Sequence, residues 1–444
     1  MIEVIVNRPS FEYDIHSLVK SFFPKEDVQI HVQDTFTEDT ALRISVEFTD
    51  ETVSICLMEQ GEEKESSVSV INYAERKETK NRLKRQLYQL LCAYTGQTLP
   101  WGTLTGIRPA KIAMGLIEQG MSNVETAEYM RNTYLASKEK VALSVMIANR
   151  ERYVLRNIDY KDGYSLYVGI PFCPSICLYC SFSSYPLERW RKQVDQYLDA
   201  LCKELDYVAD RFRDKKLNTV YIGGGTPTTL EPYQLDRLLT RIQSKFDTEH
   251  LQEFTVEAGR PDSITREKLQ VLLDHGIDRI SINPQTMNQK TLEIIGRRHT
   301  VDQVKEAFTL ARSMGFAHIN MDLIVGLPGE SYDDVEHTMK ELEAMAPDSV
   351  TVHSLAIKRA ARLSLFKDKY EEMGLENNMQ IMDMTARYCA EMGLSPYYLY
   401  RQKNMAGNFE NVGYAQPERA GIYNILIMEE KQTIVACGAG ASTK

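Results

Sequence analysis

From residue 160 onward the chain alternates short β-rich runs with amphipathic helical segments. No other feature limits the possible folds as much. The runs are "YSLYVGI", "NTVYIGG", "EFTVEA", "DRISIN", "HINMDLIVG", "SVTVHSL" and "PYYLY". Between them lie predicted helices over 188–212, 231–246, 263–274, 301–314, 331–345 and 367–393. Strand–helix pairs in such succession specify parallel βα units. Six or seven in a row point to a complete or partial (β/α) barrel rather than an open dinucleotide-binding sheet. Such barrels gather their chemistry where strands end and loops begin. Each informative motif should therefore follow the C-terminal end of a strand.

Residues 1–155 read differently, as an α+β N-terminal domain. "ISVEFTD" and "TVSICLME" alternate apolar and polar residues like the two strands of a hairpin. "AERKETKNRLKRQLYQLLCAYTG" reads as a helix ending near Gly96. Its basic first half, from Arg76 to Arg85, is read as a solvated face. "LPWGTLTGIRPAK" has loop chemistry around Trp101. No activity follows from this half.

The 444 residues allow two or three domains, and 43% hydrophobic residues supply a sizeable core. A net charge of -10 argues against a nucleic-acid binder. The start, "MIEVIVNRPSFEYD", does not read as a signal peptide, and no run has the length of a membrane helix. A cytoplasmic protein with no membrane segment is expected. Eight cysteines in a chain this long form no disulfide framework. Cys56, Cys92, Cys202, Cys389 and Cys437 are scattered and read as small buried hydrophobes.

The other three are concentrated. "YVGIPFCPSICLYCSF" places Cys173, Cys177 and Cys180 in the loop after the first strand, spaced C-x3-C-x2-C. Structural zinc takes four ligands, usually as two pairs, and no second pair follows. Cys177 and Cys180 form a C-x2-C of the redox type, but that motif alone is a weak signal. Three thiolates fit a [4Fe–4S] cluster better, with the fourth iron left for a small-molecule ligand.

This motif, with an aromatic residue (Tyr179) before its last cysteine, resembles the signature of the radical S-adenosylmethionine (SAM) superfamily. The longer string Y-V-x-I-P-F-C-x3-C-x-Y-C is similar to one branch of it: the oxygen-independent coproporphyrinogen III oxidases and their haem-chaperone and haem-degrading relatives. The N-terminal domain and "YRQKNMAGNFENVGYA" resemble the HemZ subgroup of coproporphyrinogen dehydrogenases. The resemblance covers residues 160 to 440. It implies a partial (β/α)6 radical-SAM barrel over 156–400. It also implies an incomplete C-terminal extension over 401–444, because "IVACGAGASTK" resembles a glycine-rich stretch that precedes a further segment in the family.

The resemblance also assigns roles. Cys173, Cys177 and Cys180 ligate the cluster, and Tyr167 sits beside the cluster and SAM. In "YIGGGTPTTL", Gly224, Gly225 and Thr226 meet the amino-acid end of SAM, where glycine permits close backbone approach. A side chain at Gly225 is therefore expected to obstruct SAM while sparing the cluster. Tyr179, Glu257 in "FTVEAGRPDSI" and Gln285 in "ISINPQTMN" are further cofactor contacts. In "TLEIIGRRHT", Arg297 is favoured over Arg298 to grip a carboxylate. Asp322 interrupts the apolar run "INMDLIVG", and a charge there is rarely a packing choice. A ribose hydroxyl is its natural partner. Ala356 aligns with a backbone contact to adenine.

In one place the chain departs from the family. Where the family's cysteine loop usually has histidine, this sequence has Gly169, and His299 and His353 are candidates to replace it.

The activity implied is oxidative decarboxylation of two coproporphyrinogen III propionates to vinyl groups. SAM is cleaved reductively, and the resulting radical abstracts a propionate β-hydrogen. A haem chaperone and a haem-degrading radical-SAM methyltransferase are the alternatives. The implied partners are a porphyrinogen tetracarboxylate and an electron donor such as flavodoxin or ferredoxin. Lys358, Arg359, Arg362, Arg401 and Lys403 are candidate cations for the substrate's carboxylates.

Overall fold

The computed structural model describes residues 1–33, 40–106, 108–358, 360–365, 373–401 and 409–444. They form two compact units, Met1–Ala148 and Asn149–Lys444.

The first unit is built on five strands: β1 (Ile2–Val6), β2 (Val28–Val32), β3 (Leu42–Phe48), β4 (Thr52–Glu59) and β5 (Glu62–Val70). Their order is β2-β1-β3-β4-β5. β1 runs parallel to β2 and β3, while β3–β4 and β4–β5 are antiparallel. Helices Glu12–Phe22 and Arg76–Thr95 bury Ile15, Leu18, Leu83, Leu87 and Leu91 against Val4, Ile44, Val46 and Ile55. Gly96 ends the longer helix in the left-handed region, at φ 67°. The basic run is largely engaged. Arg82 donates to the Val70 carbonyl at 2.6 Å, and Arg85 pairs with Glu78 at 2.9 Å.

The second unit is built on a nine-stranded sheet: β6 (Gly163–Ile170), β7 (Lys216–Gly224), β8 (Glu253–Glu257), β9 (Arg279–Ser281), β10 (His318–Val325), β11 (Ser349–Ser354), β12 (Ser395–Tyr400), β13 (Asn411–Ala415) and β14 (Thr433–Cys437). Strands β6 to β11 are six consecutive parallel neighbours, joined by helices as the alternation requires. This is the expected (β/α)6 arrangement, and it stays open, with β12 and β14 at its edges. Both sheet faces are covered, so β6 is apolar nearly throughout and lacks clean alternation.

The seventh sequence run does not continue the parallel series. β12 (from "PYYLY") pairs antiparallel with β13, which itself lies antiparallel to β11. Residues 409–444, expected to open a further domain, stay in this same unit. β14 pairs parallel with β6, Thr433 opposite Tyr164 and Cys437 opposite Val168. β13 ("NVGYA") has little strand signal of its own, whereas β14 ("TIVAC") carries a β-branched run that the sequence reading passed over. The open sheet edge that each completes decides where it pairs. Of the helix expected over 367–393, the structure shows Met379–Glu391; residues 373–378 are not helical, with Asn378 capping the helix start, and residues 366–372 lie outside the described residues. Among the described residues no helix is long and apolar enough to cross a membrane.

Candidate active site

The cysteine loop leaves β6 and is tied down along its length. Phe172–Cys173 pairs in parallel with Tyr185–Pro186, and the Tyr185 amide donates to the Pro171 carbonyl at 2.7 Å. Ser175 Oγ donates to the Gly296 carbonyl at 2.8 Å, and the Leu178 amide to the Ile295 carbonyl at 2.9 Å. The Cys180 amide folds back on the Cys177 carbonyl at 3.2 Å. All three thiols line one cavity of about 460 Å³, within the size range of small-molecule sites. Burial pushes the Cys173 thiol up to about 11. A thiolate there needs a strong local positive charge, which metal coordination supplies. Among the described residues no group of three His, Cys, Asp or Glu side chains closes around a single metal ion.

The glycine loop packs directly on the cysteine loop. The Gly225 amide donates to the Ile170 carbonyl, and the Thr226 amide to the Phe172 carbonyl, each at 2.7 Å. Thr226 Oγ1 lies 3.6 Å from Cys173 Sγ. A Cβ on Gly225 would stand 2.6 Å from the Phe172 carbonyl oxygen and 3.0 Å from Cys173 Sγ. This corrects the expectation that a side chain at Gly225 would spare the cluster. Gly225→Val is expected to displace Cys173 and lower iron content together with SAM affinity. Iron assay of the folded, anaerobically reconstituted variant checks this, and full iron loading would count against it.

Glu257 and Asp322 face the same cavity from β8 and β10. Glu257 is pushed up to about 7: burial raises it most, the Tyr221 hydroxyl at 2.6 Å pulls it back in part, and the Asp322 charge adds to the rise. Burial acts in the same direction on Asp322. It is outweighed by His353 Nε2 at 3.7 Å and by hydrogen bonds from Asn320, at 2.7 Å, and Thr351, so Asp322 ends below its ordinary value. Two carboxylates with diverging pKa values in one cavity form a pattern typical of functional sites.

Gln285 holds a left-handed backbone conformation, φ 69°. Its amide donates to the Asp322 carbonyl and its carbonyl accepts from the Ile324 amide, both at 2.9 Å. Strain held this way by neighbours clusters at ligand sites. Gln285 Oε1 is buried with no hydrogen-bond partner, as is Arg297 Nε. The rest of the Arg297 fork is partly committed, because Nη1 donates to the carbonyls of Asn283 and Pro284.

Tyr167, Tyr179 and Ala356 also line the cavity. Tyr167 stacks with Tyr221 and Tyr423, the last two with ring centroids 4.5 Å apart. Tyr423 comes from helix Ile422–Glu429, and nothing in the sequence around it announces this position. Of the two candidate histidines, His353 lines the cavity, while His299 is fully buried beside Asp262 at 3.8 Å. Beside Gly169, a Cβ would meet the Ala439 carbonyl at 3.4 Å and Ala441 Cβ at 3.5 Å. The C-terminal glycine-rich segment occupies that space. Among the substrate-cation candidates, Lys358 lines the cavity mouth over Phe182. Arg401 is buried, Arg362 is exposed, and neither is part of the lining. Arg359 and Lys403 lie outside the described residues. Sequence reasoning passed over Arg260, Asn320 and Tyr221, although each lies in or just after a barrel strand.

The residues present fit a [4Fe–4S] cluster and SAM: three convergent thiols, a glycine edge open to the cavity, and a buried acceptor and donor without partners. Six parallel strands with such a loop at their C-terminal ends form the architecture of a radical SAM protein. Residues 167–342 match the Radical SAM superfamily. Over 372 residues the chain is 44% identical to the oxygen-independent coproporphyrinogen-III oxidase-like protein HemZ of Bacillus subtilis (strain 168), covering 83% of this chain and 74% of that one. It is 33% identical over 284 residues to the heme chaperone HemW of Lactococcus lactis subsp. lactis (strain IL1403), covering 63% and 69%. The structure of coproporphyrinogen III oxidase (HemN) from Escherichia coli shares the fold, with a TM-score of 0.53 and 23% identity over 66% of this chain and 67% of that one. The chain belongs to the radical SAM superfamily, in the family of oxygen-independent coproporphyrinogen III oxidase-like proteins. Its cofactors are accordingly a [4Fe–4S] cluster and SAM.

Proposed function

We propose that this protein is an oxidoreductase that converts two propionates of coproporphyrinogen III to vinyl groups without oxygen, a step of haem synthesis. The reading is carried by the 44% identity to HemZ, which extends over 74% of that chain. Cys173, Cys177 and Cys180 would hold the cluster. Gly224, Gly225, Thr226, Glu257, Gln285, Arg297, Asp322 and Ala356 would hold SAM, with Tyr167 and Tyr179 beside it. When bound, these cofactors supply abstraction of an unactivated hydrogen. The chain's own task is to bind and orient. Lys358 at the mouth meets a substrate carboxylate, and the stacked tyrosines keep water from one wall. Each propionate would lose one hydrogen atom to the SAM-derived radical, then carbon dioxide, and one electron to a separate one-electron acceptor. A flavodoxin- or ferredoxin-type donor would supply the electron that starts the reaction. Residues 156–400 are proposed as the catalytic radical SAM barrel, with 1–155 as a separate α+β domain.

A second reading, a haem chaperone, is favoured by the HemW match over 69% of that chain. Strictly anaerobic incubation with coproporphyrinogen, SAM and a reductant separates the readings. Vinyl porphyrin is the expected product. Tight haem binding without turnover would move the assignment to the chaperone, and haem ring opening to a methyltransferase.

A further inference from the structure

Arg260 lies three residues past Glu257 and is only 3% exposed. Its guanidinium carries five N–H donors, and each finds an acceptor. Nε and Nη2 bind the two Asp262 carboxylate oxygens at 3.0 and 2.9 Å. Nη1 and Nη2 each reach Ser175 Oγ at 3.2 Å, and Nη1 also reaches the Ser175 carbonyl at 3.3 Å. Nη1 stands 3.7 Å from Cys177 Sγ, within hydrogen-bond reach of sulfur. No donor is left over for a ligand carboxylate, which sets Arg260 apart from Arg297. Ser175 in turn donates to Gly296, so the cysteine loop is clamped between the loop after β8 and the segment that follows helix Gln289–Ile294.

We propose that Arg260 is a positioning residue for the cluster. It fixes the Cys177 sulfur and, by donating to that ligand, makes the cluster easier to reduce. Reduction adds negative charge to the cluster and its thiolates. A cation with an N–H aimed at one sulfur stabilises that charge, and hydrogen bonds to sulfur are among the terms that set cluster potentials. Burial strengthens the effect, because little water screens it. Asp262 aims the fork, since a bidentate carboxylate pair fixes the guanidinium plane. The inference rests on assigning the cluster to Cys173, Cys177 and Cys180.

The test compares wild type, Arg260→Met and Arg260→Lys after anaerobic reconstitution, by iron content and by redox titration followed by electron paramagnetic resonance. Arg260→Met is expected to keep about four irons and to titrate at a more negative potential. At the wild-type midpoint its reduced-to-oxidised ratio should fall about tenfold, which is ~59 mV for one electron. Lysine keeps the charge but, as a single point charge, does not serve Asp262 and Cys177 together, so Arg260→Lys should fall between. A four-iron Arg260→Met with the wild-type midpoint overturns the proposal. Should Arg260→Met load no iron, Arg260→Lys decides, and a wild-type midpoint there overturns it equally. Wild type that binds no iron would sink the cluster assignment itself, a different failure.

Discussion

Alanine at any one of Cys173, Cys177 and Cys180 is expected to abolish SAM cleavage. Anaerobically prepared wild type should be brown and hold about four irons per chain, the stoichiometry of this cluster type. The effect should be all-or-none, because each thiolate takes a different iron and the loop offers no spare. The nearest later cysteine, Cys202, is buried on helix Val194–Arg211 and absent from the cavity lining. Cys202→Ala therefore serves as the control: it should change stability and leave iron untouched. Iron analysis and 5′-deoxyadenosine yield, measured on the four variants side by side, check the expectation. Stoichiometric zinc in place of iron in wild type would defeat it.

Asp322→Asn should have the second-largest effect, and on SAM rather than on iron. Asparagine keeps the volume but replaces one acceptor by an NH₂ donor. Only one amide oxygen then remains where two carboxylate oxygens faced Asn320 Nδ2 at 2.7 Å and His353 Nε2 at 3.7 Å. A hydrogen bond to a charged acceptor is worth about 1.5–3 kcal/mol. SAM affinity should therefore fall roughly ten- to hundredfold, and vinyl product with it, while the cluster loads normally. Equilibrium binding of SAM to the iron-loaded variant is the measurement, and full affinity there would remove Asp322 from the site.

Asp322 was legible because a lone charge stands out in an apolar strand, and the cysteines because three thiols fall within eight residues. Both signals are local. The alternation that announced β6 to β11 is local too, since a buried parallel strand declares itself through a few consecutive side chains. Glu257 and the glycine loop were placed by following each strand to its C-terminal end. Gln285 and Arg297 had no physical signal and came from resemblance alone. The structure supplies one for each: a left-handed backbone at Gln285 and a buried, unpartnered Nε at Arg297.

Other features belong to contacts between distant segments. Arg260 meets Cys177 across 83 positions, and Ser175 meets Gly296 across 121. The requirement for glycine at 225 comes from the Phe172 carbonyl and Cys173 Sγ, although its own neighbours suggested a ligand. The edge of β6 decides where β14 pairs, and Tyr423, on the helix before β14, enters the cavity lining by stacking on Tyr167 and Tyr221. Hydrophobic periodicity and residue chemistry are written in single segments, so the amino-acid sequence alone determined the barrel, the cofactor type and the three-cysteine loop. Which backbone leaves no room for a Cβ, and which donor finds which sulfur, are set by distances between segments, and those exist only once the chain has folded.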